Sequence, residues 1–547
     1  KDIIKKTGLL KMDFLGLANL TILANAIANV KKSRGIEIDI MKIPLDDQKT
    51  FDMLARGDTN GVFQLEGAGM RRNVVELKPN SVRELAAIVA LYRPGPMAFI
   101  PKFVKSKFGQ EPITYLHPQL EPILKETYGV ICYQEQVLNI ARAIGGFTMG
   151  QADVLRKAMS SKDRAIMDKQ KERFLEGARN NGIPEKIAAK IYEQIEPFAG
   201  YAFNKAHAVC YAFVAYRTAY MKANYPVEYY AALFSGNMDD QDKLSAYMED
   251  CRRWGITVLP PDVNHSGAEF WVENGAIRFG LGAVKGCGRA IIEAMVEVRE
   301  AGGPFTDLFD FCRRVQDAAA MNKSTVECLI KAGAFASIQP NRAQLMEMLP
   351  DAMSAAAARL RDQKSGQAGL FGDDSDAASF RPDPGKYDHV SEYPREDLLA
   401  MEKELLGVYF SGHPLDSVRK IIERNCTANA QTFRSVTPLT AVTPADMDLL
   451  YDTGPKATLW LMQAVHPHMK AQGWGRIVTF GSNAGLTGGA GYGPYSSSKE
   501  AIRGLTRVAA REWGPDGITV NCVCPVSAGH RAPPADDPAR AALWERT

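Results

Sequence analysis

A mainly α-helical protein that ends in a partial α/β segment is the architecture the sequence predicts, and three observations carry it. From Asn19 to about Asp250 apolar residues recur at helical spacing, with breaks at Arg93-Pro94-Gly95-Pro96, Gly145-Gly146, Gly182-Ile183-Pro184 and Tyr225-Pro226. Beyond residue 458 the pattern changes to a helix over 459–470, a strand expected to be buried at Arg476-Ile477-Val478-Thr479-Phe480, a glycine-rich loop, a helix from about 495 to 513 and a strand over 518–523. Strands alternating with helices imply parallel βαβ units. Between these regions, residues 351–385 pass from an alanine-rich helix to the polar run Gly372-Asp373-Asp374-Ser375-Asp376, which reads as an exposed linker.

The remaining elements follow from local signals. Phe270 to Phe279 places aromatic and β-branched residues on either side of Asn274-Gly275, the pattern of a β-hairpin. It leads into Gly280-Leu281-Gly282-Ala283-Val284-Lys285-Gly286-Cys287-Gly288 and then a helix. Glu402 to Leu406 resumes helix, which Gly412-His413-Pro414-Leu415-Asp416 is expected to end.

Composition excludes more than it selects. At 547 residues the chain holds roughly three or four domains of ordinary size. A formal charge of +3 is too small to imply nucleic acid through bulk electrostatics, so local stretches must carry that claim. Leu155 to Arg173 is one, with seven basic residues against three acidic ones; it suits a phosphate or, equally, a solvated helix face laced with i,i+4 ion pairs. Nine cysteines without a C-x-x-C pair suggest neither a disulfide framework nor a zinc site, which fits a reducing, cytoplasmic setting. No apolar run reaches membrane-helix length, and the opening Lys1-Asp2 is no signal peptide and reads as the start of a fragment.

Leu10 to Leu17 alternates as a strand, with Lys11 and Asp13 sharing one face, a pairing that suits a phosphate and its metal, although an edge-strand salt pair is the commoner explanation of such a pattern. Four further stretches follow: Gly61-Val62-Phe63-Gln64-Leu65-Glu66, Tyr92-Arg93-Pro94-Gly95-Pro96-Met97, Tyr133-Gln134-Glu135-Gln136 and Phe198 to His207. In order and spacing, over some 400 residues, the set resembles the bacterial DNA polymerase III alpha subunit, the C-family replicative polymerase. The resemblance implies a palm remnant over 1–18, fingers over 19–255, a helix-hairpin-helix DNA-binding region over 256–350, a flexible linker over 351–395 and a helical connector over 396–435. It makes Asp13 a catalytic carboxylate and metal ligand for Mg²⁺, with Lys11 contacting the incoming triphosphate. Arg93, Arg156, Lys157, Tyr201, Asn204, Lys205 and His207 would line the path of nucleotide and template, and Lys285, Gly286 and Gly288 would meet DNA phosphate. Gln367, Leu370 and Phe371 resemble the family's sliding-clamp peptide. Primer–template DNA, deoxynucleoside triphosphates, the clamp and other replicase subunits are the implied partners. Two-metal nucleotidyl transfer needs several carboxylates, and the family's other two precede the Lys-x-Asp strand, so this chain alone is expected to be inactive.

The last stretch carries a different signature. Ser482, Tyr495 and Lys499, with serine thirteen residues before tyrosine and lysine four after, resemble the short-chain dehydrogenase/reductases over 436–547, a partial Rossmann-like segment. Tyrosine and lysine at i,i+4 share a helix face, where an ammonium favours tyrosinate and hence general acid/base chemistry. The family's glycine-rich dinucleotide turn is not found upstream, Gly454 stands where an asparagine is usual, and Val526 follows Pro525 where glycine is usual. NAD(P) binding is therefore expected to be absent, and a half-sheet is expected to expose an apolar edge.

Overall fold

The computed structural model describes residues 16–161, 164–201, 203–318, 322–365, 384–416, 442–488 and 492–524; Lys11, Asp13, Gln367, Leu370 and Phe371 lie outside these. The chain divides into two compact units, residues 1–412 and 413–547. The first is mainly α and the second a small α/β unit. Among the described residues no helix is long and apolar enough to cross a membrane.

The first unit opens with α1 (Ala18–Arg34), α2 (Gln48–Ala55), α3 (Ala68–Leu77), α4 (Val82–Leu91) and α5 (Ile100–Lys107). It continues with α6 (Gln134–Gly145), α7 (Met149–Ser161), α8 (Arg164–Asn180), α9 (Glu185–Tyr201), α10 (Lys205–Asn224), α11 (Pro226–Ser235) and α12 (Gln241–Arg253). Helices stop where the sequence is punctuated. Gly146 caps α6 with φ 64, a left-handed conformation that glycine adopts without strain, and Pro226 starts α11, where its missing N–H leaves no bond unmade.

All of α4 except Arg83 is buried, so it forms the axis of one core. Ala208, Ala212, Ala215 and Ala219 of α10 lie against it, small side chains that let two helices approach closely. Inside this core Glu84 accepts from Lys107 Nζ at 2.8 Å and Tyr128 Oη at 2.6 Å, which offsets the cost of burying a carboxylate. Helices α6 to α9 build a second core around Ile140, Ile144, Leu155, Phe174 and Tyr192. There α8 crosses α6 glycine to glycine, and a methyl group at Gly177 would overlap the Gly145 carbonyl.

The hairpin forms as the sequence predicts. Strands β2 (Trp271–Glu273) and β3 (Ala276–Arg278) pair antiparallel, and Asn274 and Gly275 turn between them with φ 50 and φ 79. A third strand, β1 (Val258–Leu259), runs parallel to β3. Then come α13 (Arg289–Gly302), α14 (Leu308–Ala318), α15 (Lys323–Lys331) and α16 (Arg342–Ser365), which share a core with α1, α11 and α12.

Two expectations are corrected here. The alanine-rich stretch placed at the head of a linker is the second half of α16, which continues through Pro350 and buries Ala352 and Ala356. The helix at 402–406 is α17 (Arg395–Leu406), and it ends at Gly407, φ 73, rather than at Gly412. Residues 410–411 fold back so that Phe410 N–H and Ser411 N–H donate to Glu402, which also accepts from Arg342 at 2.6 Å. Those bonds, with one from the Ser411 hydroxyl, hold the buried Glu402 carboxyl below the usual range although burial alone would raise it.

The second unit contains α18 (Pro444–Tyr451), a π-type turn over Asp452–Lys456, α19 (Ala457–Gln472), β4 (Gly475–Phe480), α20 (Asn483–Thr487), α21 (Gly493–Trp513) and β5 (Ile518–Val523). Strands β4 and β5 pair in parallel, Gly475 with Ile518 through Phe480 with Val523. The expected burial of β4 is corrected: Val478 is 53% exposed and Phe480 60% exposed. One face of the sheet packs on α21, where Thr479 Oγ1 lies 2.7 Å from Thr506 Oγ1, and the opposite face is open.

Candidate functional site

Three stretches far apart in sequence meet at the first turn of α10. Phe203 is pinned to the segment before α6: its N–H donates to Cys132 O at 3.2 Å, and its carbonyl accepts from Gln134 N–H at 2.9 Å. Gln136 Oε1 in turn accepts from Cys132 and Tyr133 N–H, so α6 and the site share one anchored start. Arg93, in the turn after α4 that Gly95 makes possible with φ 102, stacks its guanidinium 4.3 Å from the Phe203 ring centre. It donates twice to Ala90 O at 3.0 Å, and its half-burial lowers its pKa.

The start of α10 is capped by the protein itself. Asn204 Oδ1 accepts from His207 N–H at 2.8 Å, while Glu135 of α6 accepts from Lys205 N–H at 2.9 Å and from Asn204 Nδ2 at 3.0 Å. Lys205 Nζ pairs with Glu126 at 2.6 Å and lies over the Tyr133 ring. These two backbone amides are therefore already satisfied. What this surface presents is side-chain chemistry: the exposed His207 ring, the Arg93 guanidinium and the half-buried Lys205.

The other sequence-predicted residues stand apart from this cluster. Arg156 and Lys157 belong to α7, in the second core, and both pair with Asp153, at 2.7 and 2.8 Å. For these two the ion-paired helix face describes the structure. Tyr201 closes α9, and its side chain lies outside the described ones. Lys285 and Gly288 are exposed before α13, and Lys285 N–H donates to Leu405 O at 3.0 Å. Gly286, φ 86, has no room for a side chain because a methyl group would press on Cys328 Sγ. Among the described residues no cluster of three or more His, Cys, Asp or Glu side chains is placed to hold a metal ion.

In the second unit Ser482 caps α20, its hydroxyl accepting from Ala484 N–H, and Ser496 Oγ donates to Ala484 O at 2.9 Å, tying that turn to α21. Lys499 Nζ lies 5.6 Å from the Tyr495 ring centre and donates to Phe480 O at 3.3 Å. Gly454 sits inside the π-type turn, where an added methyl group would come into ordinary contact with Ser498 and Ile502.

Glu135 and Phe203 fall within sequence motifs described above but are not among the predicted site residues. Phe203 lies before the cap of α10 and bridges to Tyr133 in parallel, so no helical spacing marks it in the sequence.

Comparison with known proteins divides the chain in the same sense. The finger domain of the bacterial DNA polymerase III alpha subunit matches residues 19–182, a helix-hairpin-helix motif matches residues 255–345, and short chain dehydrogenase matches residues 423–529. The DNA polymerase III subunit alpha of Caulobacter vibrioides is 47% identical over 424 residues, 78% of this chain and 36% of that protein. The subunit from Thermus aquaticus is 45% identical over 417 residues, 75% of this chain and 33% of the relative, and that of Escherichia coli K12 is 42% identical over 438 residues, 78% and 37%. The chain thus spans about a third of the length of the curated relatives it matches.

Proposed function

We propose, from the premise that this chain joins a section of the DNA polymerase III alpha family to a short-chain dehydrogenase-like section, that its first unit handles primer–template DNA and nucleotide during template-directed DNA synthesis. The supporting observation is that Arg93, from one motif, and Glu135, from a second, meet Asn204, Lys205 and His207 of a third at one capped helix start. Each has a distinct task in this reading. Arg93 and Lys205 neutralise phosphate, Lys205 by exchanging its Glu126 partner, and His207 offers a ring face and a hydrogen-bonding edge. Asn204 and Glu135 are positioning residues that fix the helix start.

Further roles extend the same reading. Asp13 would hold Mg²⁺, which supplies charge stabilisation to phosphoryl transfer when bound, and Lys11 would contact the triphosphate of the incoming deoxynucleotide. Arg156, Lys157 and Tyr201 extend the DNA path, Lys285 with Gly286 and Gly288 meets backbone phosphate, and Gln367, Leu370 and Phe371 dock on the sliding clamp within a cytoplasmic replicase.

Fluorescence anisotropy of a labelled primer–template with the purified chain tests this reading. Binding is expected to weaken steeply between about 50 and 200 mM salt, and Arg93→Ala is expected to weaken it further. Salt-independent binding, or none, overturns the proposal. A second reading, reductase chemistry in the last fifth, is favoured by Lys499 lying over Tyr495; saturable NADPH binding in titration would support it, and none is expected.

A further inference from the structure

The end of β5 places two thiols side by side. Exposure alternates along that strand: Ile518 and Val520 are buried in the cluster with Ala509 of α21, while Thr519, Asn521 and Val523 are exposed. Side chains two residues apart share a face, so Cys522 and Cys524 continue the covered row. Both thiols are free and only partly buried, and neither belongs to the small core of Met462, Ala509, Ile518 and Val520. Solvent can therefore reach them.

Room for both sulfurs comes from Gly481, which directly follows β4 and whose N–H donates to Val523 O at 2.9 Å. A methyl group at Gly481 would stand 2.6 Å from Cys524 Sγ, 3.1 Å from Cys522 Sγ and 3.3 Å from Arg503 Cγ. Three side chains thus converge on the one position that lacks its own. The two thiols are in hydrogen-bonding contact with each other. Arg503, which pairs with Glu500 at 2.7 Å, lies within electrostatic reach of both.

We propose that Cys522 and Cys524 form a two-coordinate site for a soft monovalent cation of the copper(I) class, with Gly481 as the gap that lets both sulfurs turn onto the ion. Thiolates are soft donors and select such ions over hard ones. Zinc takes four ligands, at least three of them from protein, and among the described residues no group of three or more His, Cys, Asp or Glu is placed to supply them. Binding replaces two S–H bonds by two metal–sulfur bonds and releases both protons to water, with no electron transferred. The resulting bis-thiolate carries one net negative charge, which the Arg503 guanidinium faces. A disulfide is the competing use of the pair. Same-face neighbours on a strand stand roughly 6.5 Å apart at Cα, close to the upper limit of about 6.8 Å that a disulfide spans, and an ion between the sulfurs relaxes that demand. The inference concerns the second unit and is independent of the DNA reading of the first.

The test titrates the full chain, reduced and without oxygen, with copper(I) presented as its bicinchoninate complex, whose colour fades as protein takes the ion. The unaltered chain is expected to withdraw one equivalent more than either Cys522→Ser or Cys524→Ser, a difference that removes uptake by the other cysteines. At one equivalent, peptide mapping after iodoacetamide should find Cys522 and Cys524 spared, and X-ray absorption should show two sulfur neighbours. Gly481→Ala keeps both thiols but fills the gap, and should weaken uptake roughly tenfold, whereas Val523→Ala, on the open face, should not. Circular dichroism matching the unaltered chain shows that each variant folds; the serine variants, which change one atom, carry the test should Gly481→Ala fail to. Equal uptake by the unaltered chain and both serine variants, or undiminished alkylation of Cys522 and Cys524, overturns the proposal. A Cys522–Cys524 disulfide in chain purified without reductant, with no copper uptake after reduction, overturns it in favour of redox chemistry.

Discussion

Strand β3 is half the length of β4, yet Ile277 at its centre is fully enclosed, whereas Val478 and Phe480 of β4 keep more than half of their surface exposed. The difference lies in what surrounds each strand. β3 sits between β1 and β2 with α11 across it; β4 has β5 for a neighbour and helices on one face. A run of apolar β-formers records a demand for cover. Whether the demand is met is decided by other elements, and parallel strands ordinarily need layers on both faces. Among the described residues the first unit has three large cores, while the cluster in the second consists of Met462, Ala509, Ile518 and Val520.

That contrast can be broken at several points. The largest effect is expected from Lys222→Ala, which would take away the buried ion-pair partner of Asp250, leave only the half-exposed Arg253 to balance its charge, and lower the stability of the first unit by about 3–5 kcal/mol. Denaturant titration reads it, and peptide-resolved hydrogen exchange should show the second unit untouched. Ile88→Ala, in the buried α4, should cost about 2–5 kcal/mol, against a change within about 0.5 kcal/mol for Val478→Ala. Equal losses at the two sites would remove the distinction between the units.

Acid provides another handle. Burial opposes the Asp250 charge, but Lys222, Tyr230 and Arg253 together hold its pKa below the usual carboxylate value, and Glu402 is held low in the same sense. A depressed carboxylate contributes stability that is present above its unfolded pKa near about 4 and is lost as pH falls through the lower folded value. The denaturant midpoint of the first unit should therefore fall on acidification below about pH 4. In an Asp250→Asn variant that part of the acid response should disappear; an unchanged response would show that the pair does not supply it.

Smaller effects sharpen the comparison further. Asn204→Ala should cost about 1 kcal/mol through the lost cap of α10. Phe480→Lys should leave stability within about 0.5 kcal/mol while reducing self-association in light scattering; unchanged scattering would mean that the open face of β4 does not drive association.

What could be read from sequence was mostly local. Asn274-Gly275 announced the hairpin because few other residues accept two successive positive φ values, and the order of helices and strands announced the parallel β4–β5 pair. What could not be read depended on distant neighbours. The stretch from residue 351 read as the head of a linker, yet α16 runs on through Pro350 because Ala352 and Ala356 continue the buried face. Nothing in the local sequence marks Lys222 as buried, since its partners Asn60 and Asp250 come from other elements. The motifs around Arg93, Tyr133 and Phe203 were visible one by one, but their meeting at a single helix start is a property of the tertiary structure.

The crossing of α6 and α8 sets the orientation of the cationic stretch along α7 and α8, and it does so through two residues with no side chain at all. Gly177→Ala would therefore work as a wedge, prying the two helices apart by about the width of a methyl group without altering one ionisable residue. Geometry and electrostatics, entangled in most variants of a basic surface, come apart at this position.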